Sequence, residues 1–226
     1  MKPPYKTSRP APPVTIDTSS GRSEQLSTLP DRHQAARDLK ESVFEVVRTV
    51  GFTLAVVWGI GLLNLLTGGF LNNFGILPRS LTGLVGIFLW PLLHGGFFHL
   101  LGNTIAYLAL GTMVLARNPR HYWFVTIAGT LLGGLGVWLF ARGNIHIGAS
   151  GVIFSYLGYL FATGIFERRL GAIALSSVSI LAYGSMVFGM LPITPGVSFE
   201  GHIAGFAAGI FSAWFLARDQ RKRLPS

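Results

Sequence analysis

The chain has 226 residues, half of them apolar and only 12% charged, far below the roughly 25% charged residues of soluble domains, and reads as a polytopic membrane protein. Its formal net charge is +9, yet the Lys and Arg lie in tails and short loops rather than on one basic face, which argues against a nucleic-acid partner. The absence of cysteine removes disulfides, thiol nucleophiles and thiolate metal sites.

Residues 1–30 carry Pro-Pro pairs, Ser/Thr clusters and few large apolar side chains, too little to bury for a fold, and are expected to form a cytoplasmic tail rather than a secretory signal. From Asp31 the pattern Asp-x-x-Gln resembles a capping box opening a charged juxtamembrane helix over 31–45. Apolar stretches of about twenty residues then fall at 46–66, 97–116, 121–140, 149–166, 170–190 and 200–217. The stretch between the first two is apolar but broken by Asn72, Asn73, Pro78, Arg79 and Pro91. It predicts an outer loop over 67–96 with interfacial helical pieces.

Six spans place Arg117 and Arg120, Arg168 and Arg169, and Arg218, Arg221, Lys222 and Arg223 on the side of the N-terminal tail. Only Arg79 and Arg142 remain on the other. By the positive-inside rule both termini are cytoplasmic. The expected fold is an all-α membrane protein: a six-helix bundle over 46–217 followed by a basic tail over 218–226.

In this topology the second, fourth and sixth spans all start at the outer face. His94, His99 and Asn103 stand at the start of the second, Ser150 at the start of the fourth, and Glu200 and His202 at the start of the sixth. Polar groups at membrane depth are expensive and mark functional sites. Close approach of the fourth and sixth spans is written in two small-residue stripes: Gly151, Ser155, Gly158 and Ala162 on one, Gly201, Gly205, Gly209 and Ser212 on the other. Ser150 and His202 flank the tops of these stripes, and a hydroxyl within reach of an imidazole is the minimum activated nucleophile. His99 and Asn103, four residues apart on one face, can donate to an oxyanion together with the Ser150 amide at the helix start. Gly148 and Gly151 leave that backbone uncovered.

Singly, each of these residues has a plainer reading, since Ser, Asn and His often join helices by packing or hydrogen bonds. His94 and His99 diverge around a helix and have no carboxylate beside them, so no metal site is expected, nor any cofactor. His121 and His146 read as surface or interfacial, and Glu200 as a loop or cap carboxylate.

Taken in order, "HGGFFHLLGN", "GASG" and "GHIAGFAAG" resemble the signatures of the rhomboid family of intramembrane serine proteases over about residues 46–217. The resemblance implies Ser150 as nucleophile, His202 as base and then acid, His99, Asn103 and the Ser150 amide as oxyanion donors, and His94 as a hydrogen-bonding support. Phe154 stands where many members have a Tyr stacked on the catalytic His, so stacking is kept and a phenolic hydrogen bond is lost. The Trp-Arg pair that many members carry in the first loop is absent. The implied function is cleavage of transmembrane protein substrates near their outer ends, within the lipid bilayer of a bacterial plasma membrane. The alternative is a non-proteolytic relative that binds transmembrane helices, or a small transporter or scaffold. Retention of both Ser150 and His202 favours the enzyme.

Overall fold

The computed structural model describes residues 32–223, so the tail expected over 1–30 lies outside the described residues. Those described are helices and connecting turns, with one isolated antiparallel bridge, Ile76 to His146. Helix α1 (Arg32–Leu66) is continuous, joining the charged stretch and the first apolar span in one element. It holds no proline, and an apolar segment in lipid must satisfy its backbone internally. Gly68 and Gly69 end it with φ of 65° and 86°, and the Gly69 amide closes onto the Asn64 carbonyl at 2.8 Å.

The outer segment folds into a 3₁₀ turn (Phe70–Phe74), helix α2 (Leu81–Leu89) and a second 3₁₀ turn (Trp90–Leu92). Ser80 caps α2 by accepting the Gly83 amide at 3.0 Å. At nine residues, α2 is about 14 Å long, half of what a span requires.

Helix α3 (Phe97–Arg117) follows. Asn118 then starts α4 (Pro119–Phe140) by accepting the amides of Arg120 and His121, with Pro119 at the first helical position. A π turn at Gly129–Gly133 interrupts α4. Helix α5 (Ser150–Glu167), α6 (Leu170–Tyr183, continued as 3₁₀ to Met190) and α7 (Phe199–Arg223) complete the order. Five helical stretches are long and apolar enough to cross a membrane: 34–66, 97–117, 119–140, 170–190 and 199–222.

Helix α5 is buried on every side from Gly151 to Leu160, as a helix apolar around its whole circumference must be. Its most extensive partner is α7. A Cβ on Gly205 would run into the Gly151 carbonyl, one on Gly209 into the Ser155 carbonyl, and one on Gly158 into the Phe206 carbonyl. Backbone therefore meets backbone along this seam. Gly201 does not join it: its open side faces Ser198 and the Trp90 ring, because Trp90 fills the top of the groove.

Far from the N-terminus of α5, buried hydroxyls knit the helices together. Tyr107 meets Tyr122 at 2.5 Å, Thr126 meets Tyr156 at 2.7 Å, and Thr53 reaches Tyr122 at 3.4 Å. Arg117 pairs with Glu167 at the same end. In lipid such bonds average about 0.6 kcal/mol each, so their number and the α5–α7 seam hold the bundle rather than any one contact.

Candidate active site

A cavity of about 700 Å³ opens where the starts of α3, α5 and α7 converge. Ser150, His202, His99, Asn103, Phe154 and His146 all line it. Three segments far apart in sequence thus meet at one cavity.

His202 sits one turn into α7, its Nδ1 2.7 Å from the Gly189 carbonyl. A carbonyl only accepts, so Nδ1 carries the proton and Nε2 keeps its lone pair. The ring lies on Phe154 with centroids 4.1 Å apart and planes 8° from parallel. Stacking and carbonyl together fix both the plane and the tautomer of the imidazole. The carbonyl orients the ring in a region without Asp.

Ser150 is the first residue of α5. Among the described residues its hydroxyl is committed to no hydrogen bond. The Ile153 amide donating to the Ala149 carbonyl at 3.0 Å is the first rung of α5. The Ser150 amide lies ahead of that ladder, among the unsatisfied donors of a helix start.

Gly148, with φ of 119°, brings the backbone under two side chains. A Cβ there would lie 2.9 Å from His99 Nε2 and 3.5 Å from Asn103 Nδ2. His99 Nδ1 accepts the Gly95 amide at 3.3 Å, which leaves the proton on Nε2. Asn103 Nδ2 is buried and has no partner among the described residues. A buried amide donor left unsatisfied costs about 1–3 kcal/mol, and an unsatisfied donor facing this cavity is available to a group that enters it.

His94 supports the loop leading into Ser150. It is 2% exposed. Its Nδ1 faces the Leu92 carbonyl at 3.4 Å, and its Nε2 accepts the Ala149 amide at 3.5 Å. Burial, reinforced by His99 and opposed by the Leu92 carbonyl, pushes its pKa down to about 4, so the ring is neutral at pH 7 and can accept. Asn64 at the end of α1 holds the His94 carbonyl at 3.0 Å.

Several residues here carry no obvious mark in the sequence. Trp90 grips both sides of Ser150: its carbonyl accepts the Gly148 amide at 2.8 Å, and its ring occupies the space a side chain on Gly151 would need. Its Nε1 donates to the Thr130 carbonyl at 3.2 Å, within the π turn. Gly189 acts through its carbonyl alone. His146 is buried at 4% exposure rather than interfacial, because the outer segment pairs with its backbone at Ile76. His121 is also buried, bonded to Tyr159 at 2.6 Å. Glu200 lies in the first turn of α7 and takes both Nε and Nη2 of Arg142, at 2.5 and 3.1 Å.

The model of the rhomboid domain family matches residues 81–219, a range that contains His94, His99, Asn103, Ser150, Phe154 and His202. The chain belongs to the rhomboid family. A protein of Mycobacterium tuberculosis named only as uncharacterized is 38% identical over 181 residues, covering 75% of this chain and 74% of the relative. The RHOMBOID-like protein 4 of Arabidopsis thaliana is 33% identical over 129 residues, covering 55% of this chain and 32% of that protein. The mouse Rhomboid-related protein 2 is 28% identical over 133 residues, 54% of this chain and 44% of its own length. This rhomboid is thus an integral membrane protein of a family associated with intramembrane proteolysis.

Proposed function

We propose that this rhomboid is an intramembrane serine endopeptidase that cleaves transmembrane segments of membrane proteins near their outer ends. The observation that carries the reading is the pairing, in one cavity, of a hydroxyl free of other bonds with an imidazole whose free nitrogen is the acceptor one. The same cavity is lined by Asn103, whose buried Nδ2 lacks a partner among the described residues. Ser150 Oγ attacks the peptide carbonyl while His202 Nε2 takes its proton, and the charge on the carbonyl oxygen falls to Asn103 Nδ2, His99 Nε2 and the Ser150 amide. Collapse passes the proton from His202 to the leaving amine and leaves an acyl-enzyme on Ser150. A water deprotonated by the same His202 then releases the new carboxyl end.

The substrate strand must be extended to present its carbonyl. The cavity lies at the outer ends of the spans if α5, 18 residues long and about 27 Å, crosses the membrane as a sixth span beside the five longer helices. Arg117, Arg120, Arg168, Arg169, Arg218 and Arg221 then face the cytoplasm together with both termini. A bacterial plasma membrane is the setting that the mycobacterial relatives favour. The test is cleavage of a single-span reporter by purified protein in detergent. Wild type should cut it, whereas Ser150→Ala should not while unfolding at the same temperature as wild type, and His202→Ala should not while remaining folded, with some loss of stability from the stacking and carbonyl contacts it gives up. Cleavage by Ser150→Ala would remove the mechanism.

A further inference from the structure

The cavity contains a second hydroxyl and imidazole, which the proposed chemistry does not use. Ser198 Oγ lies 2.6 Å from His146 Nδ1, and both residues line the same wall. His146 Nε2 faces the Arg142 carbonyl at 3.0 Å, so Nε2 holds the proton and Nδ1 accepts from the Ser198 hydroxyl. Ser198 Oγ in turn accepts the Gly201 amide at 3.1 Å, capping α7. Every bonding direction of this pair is therefore occupied. It is not a spare catalytic dyad, because the imidazole has no free lone pair and the hydroxyl no free proton.

Its placement explains it better. His146 stands four residues before Ser150, and Ser198 stands four residues before His202. The Ser198 carbonyl accepts the His202 amide at 3.2 Å, the first rung under the catalytic ring. The backbone of His146 is fixed on its other side by the two hydrogen bonds to Ile76, at 2.9 and 3.0 Å. Immediately outward, Arg142 and Glu200 form a parallel tie between the same two segments. The loop leading into the nucleophile and the start of the helix bearing the base are thus bolted together one turn from the reacting atoms.

We propose that His146 and Ser198 are positioning residues that set the separation of Ser150 and His202, an inference that rests on the proteolytic reading. The pair touches no reacting atom and acts by holding the two chain segments in register. Losing it lets the starts of α5 and α7 drift apart. A misplacement of about 1 Å costs on the order of 100-fold in rate.

The experiment measures kcat and KM for reporter cleavage, with thermal unfolding alongside, for Ser198→Ala, His146→Leu, the double variant and Ser198→Thr. His146→Leu leaves the Ser198 cap of α7 in place, so a role in capping alone predicts wild-type kcat for it. The positioning role predicts a fall in kcat of about 10- to 100-fold at unchanged KM for either single variant. The double variant should be no slower than the worse single one, and Ser198→Thr, which keeps the hydroxyl, should recover. Wild-type kcat in His146→Leu, or a double-variant loss equal to the product of the single losses, overturns the inference and leaves the protease reading intact. Failure of the wild-type protein itself to cleave or to react with a serine-directed probe overturns the reading underneath.

Discussion

Gly205→Ala adds one methyl group in the α5–α7 seam and tests whether that seam positions the dyad. The new Cβ meets the carbonyl oxygen of Gly151. That oxygen is backbone and cannot rotate away, and contact distances of about 3.5 Å require the helices to separate by the order of 1 Å. Gly151 is bonded directly to Ser150, and His202 lies three residues from Gly205, less than one turn along a rigid helix. The separation therefore reaches the dyad almost undiminished. Proton transfer needs about 2.6–3.2 Å between heavy atoms, so turnover should fall about 100-fold in Gly205→Ala and vanish in Gly205→Leu. Gly59→Ala and Gly171→Ala are the controls, since a Cβ at either position meets no atom within 4 Å, and both should keep full activity. The assay is single-span reporter cleavage in detergent with a thermal unfolding curve for each variant. Wild-type turnover in Gly205→Ala would show that the seam does not set the dyad's geometry.

Asn103→Ala removes one oxyanion donor and should lower kcat about 100- to 1000-fold without loss of stability, since the amide it deletes is already unpaired; unchanged kcat would return Asn103 to helix packing. His94 is neutral in both folded and unfolded chains above pH 6.5. Between 6.5 and its folded pKa of about 4 only the unfolded chain gains the proton, so stability should fall as pH drops through this window, by up to about 3 kcal/mol. Thermal unfolding at pH 7.5 and 4.5 should therefore show a smaller decline for His94→Gln than for wild type, and equal declines would refute the assignment. Single cysteines at Asn73 or Thr194 should react with an impermeant thiol reagent added outside intact cells, while those at Arg120 or Lys222 should not, and outside labelling at Arg120 would invert the topology.

The convergence of the starts of α3, α5 and α7 was legible because the order and length of the apolar stretches put His99, Asn103, Ser150 and His202 at the same ends of their helices, and all four line one cavity. The stacking of Phe154 on His202 was expected only through the family resemblance, since its spacing from Ser150 says nothing of a ring on another helix. What the sequence hid is mostly backbone. The Gly189 carbonyl that sets the His202 tautomer belongs to a residue with no side chain, and nothing local marks it. His146 reads as interfacial because it sits in a short loop between spans; it is buried only because the outer segment bridges to it through Ile76. Nothing around Trp90 in the sequence marks it as the residue whose carbonyl and ring bracket Ser150. The small-residue stripes predicted the seam at Gly205 and Gly209, but could not reveal that Gly201 faces Trp90 instead of α5.

The central claim is that His202 activates Ser150 as a nucleophile, and covalent capture tests it most directly. Detergent-solubilised protein is treated with a fluorophosphonate, digested and mapped by mass spectrometry. The account predicts one adduct, on Ser150, that disappears in His202→Ala and persists in Ser198→Ala at a reduced rate. An adduct on Ser198 or any other residue, or undiminished labelling of Ser150 in His202→Ala, would contradict it.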